Sequence, residues 1–138
     1  MCRYDSQTQR KEYDMIKGYT DLSQSKTLAE ILPLESADMY YRDWKRMTKY
    51  IHIAHVGSAD EKDLPCWSLT ALLSVLPDEI TDNGDVYRNM FFHLKGKYII
   101  QYPRLTTLWP ALLSVEADNP IDACVDMIAK LKENNFIW

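Results

Sequence analysis

The chain has 138 residues, 46% of them hydrophobic and 26% charged, with a formal net charge of −4. This is the make-up of one globular domain, long enough to bury roughly two thirds of its unfolded surface. The acidic balance argues against a protein that coats nucleic acid or lies on an anionic membrane surface, and no run approaches the ~20 apolar residues that span a bilayer.

The opening Met1-Cys2-Arg3-Tyr4-Asp5 is polar, and no apolar core of leader length follows it. The cysteines Cys2, Cys66 and Cys124 are odd in number and lack C-x-x-C spacing, which predicts reduced thiols and a cytoplasmic location. Residues 1–21 read as a polar tail or a weakly docked helix, and 22–138 as a single domain. Leu22–Leu32 predicts a short helix: Leu28, Ile31 and Leu32 share a face, Thr27 and Glu30 have capping-box spacing, and Pro33 ends it.

Residues 36–57 carry two signals. Tyr40, Trp44, Met47 and Ile51 fall on one helical stripe, with Arg42, Lys45, Arg46 and Lys49 on the opposite one. Against that, Tyr40-Tyr41, Trp44 and Tyr50-Ile51-His52-Ile53 are rich in strand formers. Residues 57–65 read as a loop. A fully punctuated helix follows: Ser68 is the cap, Trp67 and Leu72 have hydrophobic-staple spacing, Leu69, Leu72, Leu73 and Leu76 form a stripe, and Pro77 stops it.

Asp78–Asp85, with Asn83-Gly84, reads as a turn-rich stretch, and Val86–Tyr102 as a β-hairpin about Lys95-Gly96-Lys97. A three-residue loop puts Met90, Phe92 and Leu94 on one face with Tyr98, Ile100 and Tyr102. It leaves Asn89, Phe91, His93, Ile99 and Gln101 on the other. A two-residue loop starting at Gly96 suits the glycine but mixes the faces, so the face pattern is preferred. Ala71-Leu72-Leu73-Ser74-Val75 recurs as Ala111-Leu112-Leu113-Ser114-Val115, with unrelated flanks. The second copy follows Pro110 and reads as a short strand or irregular link. Asn119 or Asp118 caps a last helix with Pro120 at its first position and Ile121, Cys124, Val125, Ile128 and Leu131 facing the core. Phe136, Ile137 and Trp138 are expected to pack back onto it.

Few motifs point to chemistry. His52, His55, Cys66 and His93 are the soft-metal candidates. His52 and His55 share a face only on a helix, and no second pair has zinc-site spacing, so no metal or other cofactor is expected. Asp78, Glu79, Asp82 and Asp85 lack the ligand alternation of a calcium loop. No nucleophile elbow, phosphate loop or dinucleotide fingerprint occurs, and Ser68 is explained as a cap. Arg42, Lys45, Arg46 and Lys49 interleave with Tyr40, Tyr41, Trp44 and Tyr50, a composition that can stack and neutralise single-stranded nucleic acid. The acidic total makes nucleic acid an unfavoured partner.

Three segments taken together carry a resemblance. They are Ser36-Ala37-Asp38-Met39-Tyr40-Tyr41, Leu64–Leu73 with Leu76-Pro77, and Ala117–Ile128 with Leu131–Asn134. In order and spacing they resemble a group of small uncharacterised proteins of gut anaerobes and of the phages and mobile elements these carry. The resemblance implies a lineage, with no activity and no site residue. It also implies an extended, variable stretch after Ala37-Asp38-Met39-Tyr40, which turns the expectation for residues 38–55 from helix to hairpin.

The expected fold is α+β. An antiparallel sheet built from the hairpins at 38–55 and 86–102 packs on the helices at 68–76 and 120–134, and the helix at 22–32 covers an edge or end. The expected function is a small non-catalytic protein-interaction module, a possible homodimer, with Tyr40, Tyr41 and Trp44 as its partner-binding anchors. The alternatives are a nucleic-acid binder using residues 40–50, and a small enzyme whose site gathers dispersed histidines and carboxylates.

Overall fold

A computed structural model describes residues 17–42, the backbone of 51–53, and residues 63–137. In chain order these form α1 (Leu22–Ala29), a 3-10 turn (Leu34–Ser36), β1 (Met39–Tyr41), β2 (Ile51–Ile53), β3 (Leu64–Cys66), α2 (Leu69–Val75), β4 (Glu79–Asp82), β5 (Asp85–Arg88), β6 (Met90–Leu94), β7 (Lys97–Pro103), β8 (Ala111–Ala117) and α3 (Pro120–Glu133). The fold is α+β, and every strand pairing is antiparallel.

The strands divide into three sheets, ordered β2-β1-β3, β4-β5 and β6-β7-β8, so the two expected hairpins do not share one sheet. The extended reading of 38–55 holds at its ends, where Met39 pairs with Ile53 and Tyr41 with Ile51. The far edge of β1 is taken by Leu64–Cys66, a stretch expected to begin in a loop. Pro65 sits mid-strand there, a position open to proline because β3 is an edge strand.

Local chemistry explains the helix limits. Asp21 caps α1: its carboxylate accepts from the Gln24 amide at 2.8 Å, while the Gln24 side chain accepts from the Asp21 amide at 3.1 Å. The capping box is therefore Asp21/Gln24 and not Thr27/Glu30. Thr27 lies inside the helix and donates back to the Ser23 carbonyl. The helix stops at Ala29, short of Leu32. At α2 the Ser68 hydroxyl accepts from the Ala71 amide as the spacing predicts, and Ala71 replaces Leu73 on the buried stripe, leaving Leu73 exposed. Asn119 caps α3 through the Asp122 amide at 2.9 Å, with Pro120 first in the helix.

Both two-residue turns are of the type whose central residues need positive φ: Asn83 and Gly84 at 50° and 84°, Lys95 and Gly96 at 53° and 78°. That twist matches a right-handed strand pair. Asn83-Gly84 thus closes a β4–β5 hairpin where only a turn-rich stretch was expected. At the second turn Leu94 pairs with Lys97, so the loop is Lys95-Gly96, one residue shorter than expected. A one-residue change in a hairpin flips every side chain of one strand. Phe91 and His93 therefore join Tyr98, Ile100 and Tyr102, and Met90, Phe92 and Leu94 turn to the other face.

The core is centred on α3, whose Ile121, Ala123, Cys124, Met127, Ile128 and Leu131 are fully buried. They meet Ile100 and Tyr102 of β7, Val115 of β8, Leu72 of α2, and Leu28 and Leu32. Each such aliphatic side chain contributes about 1.5–3 kcal/mol by burial. Ile137 is buried and Phe136 packs on this core, while Trp138 lies outside the described residues. A smaller cluster joins Tyr41, Leu64 and Cys66 with Leu22 and Met39.

Residues 17–21, part of the stretch expected to be a polar tail or a weakly docked helix, are packed against α1, β3 and α3. Thr20 is fully buried, and Asp122 of α3 accepts from Lys17 at 2.9 Å, Gln24 at 2.7 Å and Asn119 at 2.8 Å. Burial alone would raise the Asp122 carboxyl; these donors outweigh it and hold it below its ordinary value. A depressed folded pKa gives stability that is present above the unfolded carboxylate value and lost as pH falls through the folded one. Urea unfolding at a series of pH values should therefore show an acid limb that flattens in Asp122→Asn. An unchanged limb would remove Asp122 from the acid response.

Candidate functional site

The clearest departure from a buried-apolar rule lies between β7 and β8. Pro103 ends β7, and its pairing with Ala111 follows a register shift after Gln101. The chain then makes a braced excursion over 104–110. The Leu105 amide donates to the Val86 carbonyl at 2.8 Å, and Arg104 bridges Tyr87 of β5. The Arg104 guanidinium pairs with Asp85 at 3.2 Å and lies over the Tyr87 ring. Further out, the Leu108 amide donates to the Arg104 carbonyl at 2.7 Å, and the Thr107 hydroxyl donates to the Trp109 carbonyl at 2.9 Å. Leu108 takes φ 64°, and the Trp109–Pro110 bond is cis.

This frame holds three large apolar side chains in water: Leu105 at 44% exposure, Leu108 at 60% and Trp109 at 71%. Scattered exposed apolar residues are ordinary, but a tryptophan and two leucines together on one fixed loop are not. Tryptophan is the residue type most enriched among contacts that dominate binding energy.

The residues expected to bind a partner lie elsewhere. Tyr40 and Tyr41 are buried, at 6% and 5% exposure, because β1 is the central strand of its sheet. The Tyr41 hydroxyl donates to the Thr20 carbonyl at 2.8 Å, and burial first of all pushes that phenol upward. The Tyr40 hydroxyl accepts from Arg42 at 3.0 Å. Neither ring is offered to a partner, and Trp44 lies outside the described residues. Of the basic set, Arg42 pairs with Asp63 at 3.7 Å, and Lys45, Arg46 and Lys49 lie outside the described residues.

Among the described residues the dispersed chemical candidates do not converge. The backbone of His52 is on β2 opposite Tyr40, and His55 lies outside the described residues. Cys66 is fully buried against Thr20, and burial raises its thiol. His93, on a different sheet, stacks on Tyr98 with ring centroids 4.2 Å apart. Glu79 pairs with Arg88 at 2.8 Å, and Asp85 with Arg104. Asp78, Glu79, Arg88 and Asn89 line an open polar depression of about 580 Å³. The Ser68 hydroxyl is spent in the cap, donating to Asp38 while accepting from Ala71. Among the described residues, no group of three or more His, Cys, Asp or Glu side chains is placed to hold a metal ion, and no helix is long and apolar enough to cross a membrane. No family model, curated protein or solved structure matches this chain.

Proposed function

We propose that this protein is a small non-catalytic protein-interaction module, of the phage or mobile-element origin its resemblance implies, with Leu105, Leu108 and Trp109 as its contact residues. The observation that carries this reading is the 71% exposure of Trp109 on a loop braced to β5. A braced loop loses little conformational freedom on binding, which leaves more of the contact energy as affinity. Among the described residues none of the three side chains belongs to a buried core cluster.

Capture from the native host with the wild-type chain and with Trp109→Ala, followed by calorimetry on the purified partner, tests it. Trp109→Ala should weaken binding by about 2 kcal/mol or more, roughly thirtyfold, while the urea midpoint stays within about 0.5 kcal/mol of wild type. Equal binding by both proteins would sink the assignment. A parallel titration with single-stranded and duplex DNA and RNA at two salt concentrations covers the nucleic-acid alternative. Micromolar binding that weakens with salt and disappears in Lys45→Glu/Arg46→Glu would replace the interaction reading.

A further inference from the structure

The main chain of the β6-β7-β8 sheet offers a second surface, separate from the 104–110 loop. Sheet β6-β7-β8 has two edge strands, and unpaired edges recruit other strands unless they are obstructed. On β8 a lysine intervenes: Lys130 of α3 donates to the Ser114 carbonyl at 3.1 Å. On β6, among the described residues, no side chain from another element does the same. Met90-Phe91-Phe92-His93-Leu94 contains no proline, glycine, carboxylate, lysine or arginine, and its pairing with β7 runs without a bulge from Met90↔Gln101 to Leu94↔Lys97.

The turn fixes which main-chain groups are free. Across a two-residue turn the flanking pair, Leu94 and Lys97, is the hydrogen-bonded kind, and such pairs alternate along an antiparallel ladder. Leu94, Phe92 and Met90 therefore direct their amides and carbonyls to β7, and Phe91 and His93 direct theirs outward. Among the described residues no backbone bond from another element meets these groups. They need a strand whose own outward groups have the same two-residue spacing.

We propose that β6 pairs antiparallel with β6 of a second copy of this chain, about a two-fold axis at Phe92, to make one continuous six-stranded sheet. In that register Phe91 faces the second copy's His93 and each exchanges both its amide and carbonyl bonds with the other. Phe92 meets its own counterpart in the closer, non-hydrogen-bonded kind of pair, and Met90 faces the second copy's Leu94. The strand is self-complementary in side chains as well as main chain. One face joins Met90, Phe92 and Leu94 of both copies, covering Met90 and Leu94, which are 40% and 54% exposed in the monomer. The other places Phe91 beside an imidazole. Aromatic and apolar cross-strand pairs of this sort add to the ladder, and no carboxylate, lysine or arginine within β6 opposes a like charge. An unrelated strand would meet the same amides but would find no charged residue by which β6 could select it. A five-residue strand buries less than the roughly 1,200 Å² of a stable specific interface, so the dimer should be reversible and in the micromolar range.

Sedimentation equilibrium of the full chain from about 1 to 500 μM tests the proposal; the range brackets the affinity expected for a small interface. The weight-average mass should rise from 16.2 kDa toward twice that value. His93→Pro removes an outward amide and keeps every β6–β7 main-chain hydrogen bond, at the cost of the ring stack on Tyr98, and Leu94→Lys places a charge on an exposed edge position opposite Met90. Both should stay monomeric throughout with an unchanged circular-dichroism spectrum. If His93→Pro does not fold, Leu94→Lys decides alone, since Leu94 is exposed. Register is read in a Cys2→Ser background: Phe92→Cys should cross-link two chains under oxidised glutathione, and Met90→Cys should not. A wild-type chain that stays monomeric at 500 μM, a dimer that persists in Leu94→Lys, or cross-linking through Met90→Cys in preference to Phe92→Cys overturns the proposal. Since the 104–110 loop lies at the opposite end of β7 from the Lys95-Gly96 turn, either surface can fail while the other stands.

Discussion

Trp67→Ala should lower the free energy of unfolding by about 3–5 kcal/mol, the range for deleting a large buried aromatic side chain. Trp67 is fully buried and sits where three separate segments meet. Its carbonyl accepts from the Thr20 amide at 3.0 Å, which holds the 17–20 segment. Its indole Nε1 donates to the Ser36 hydroxyl at 2.9 Å, which in turn donates to the Pro33 carbonyl, so the 3-10 turn is fixed through the ring. Its own position immediately before Ser68 sets the entry to α2. Truncation would leave a cavity bordered by rigid elements that cannot easily collapse into it. Trp67→Phe retains most of the ring volume and loses the Nε1 bond, so its cost should lie well below that of Trp67→Ala and close to that of Ser36→Ala. Urea midpoints of the three variants check the ordering. An unchanged midpoint for Trp67→Ala would mean that the indole is not part of the core.

The repeated pentapeptide marks how much of this fold the residues themselves dictate. Ala71–Val75 is most of α2, and Ala111–Val115 opens β8. The residues are identical, so the difference lies in the flanks and the neighbours. The first copy follows Ser68, whose cap is itself held by Asp38, and it ends before Pro77. There Ser74 donates to the Thr70 carbonyl one turn back. The second follows Pro110 and finds Ile100 and Gln101 of β7 ready to pair, so Ser114 receives the Gln101 amide instead. Caps and prolines are local and could be read, as α2 and α3 show. The partner strand is a tertiary fact and could not.

The same division explains the two errors that bear on function. At the Lys95-Gly96 turn the face pattern favours the three-residue loop, but only weakly, because Met90, Phe91 and Phe92 are all apolar and either face of β6 can be covered. The two-residue turn with positive φ at both central residues outweighs that preference and sets the register. Asn83-Gly84 carries the same signal more strongly, yet the stretch was expected only as turn-rich and not as the β4–β5 hairpin it closes. Tyr40 and Tyr41 looked like anchors by residue type, but their burial depends on β2 and β3 arriving on either side. The loop had a fainter signal. Pro103 and Pro110 bracket a segment too short for a buried element, and Leu105, Leu108 and Trp109 within it have no period-matched face to occupy.

Thr20→Val should cost about 2–4 kcal/mol, although it only exchanges a hydroxyl for a methyl of nearly the same shape; each buried polar group that loses its partner contributes about 1–3 kcal/mol. Thr20 and Ser25 are both fully buried. The Thr20 hydroxyl accepts from the Trp67 amide at 3.1 Å and shares a hydrogen bond with the Ser25 hydroxyl at 2.7 Å. The Cys66 thiol lies 3.5 Å away, against the same oxygen. Valine would fill the space, leave the Trp67 amide without an acceptor, and leave the Ser25 hydroxyl with only the weakly bonding Cys66 sulfur beside it. The packing of Tyr41, Leu64 and Cys66 would be largely unchanged, which separates this effect from a cavity. A double-mutant cycle makes the distinction measurable. Ser25→Ala removes one of the two orphaned groups, so Thr20→Val should cost less in a Ser25→Ala background than in the wild type, by about 1 kcal/mol. Strict additivity of the two substitutions would mean that the hydroxyls do not support each other, and that the Thr20 side chain acts through the Trp67 amide alone.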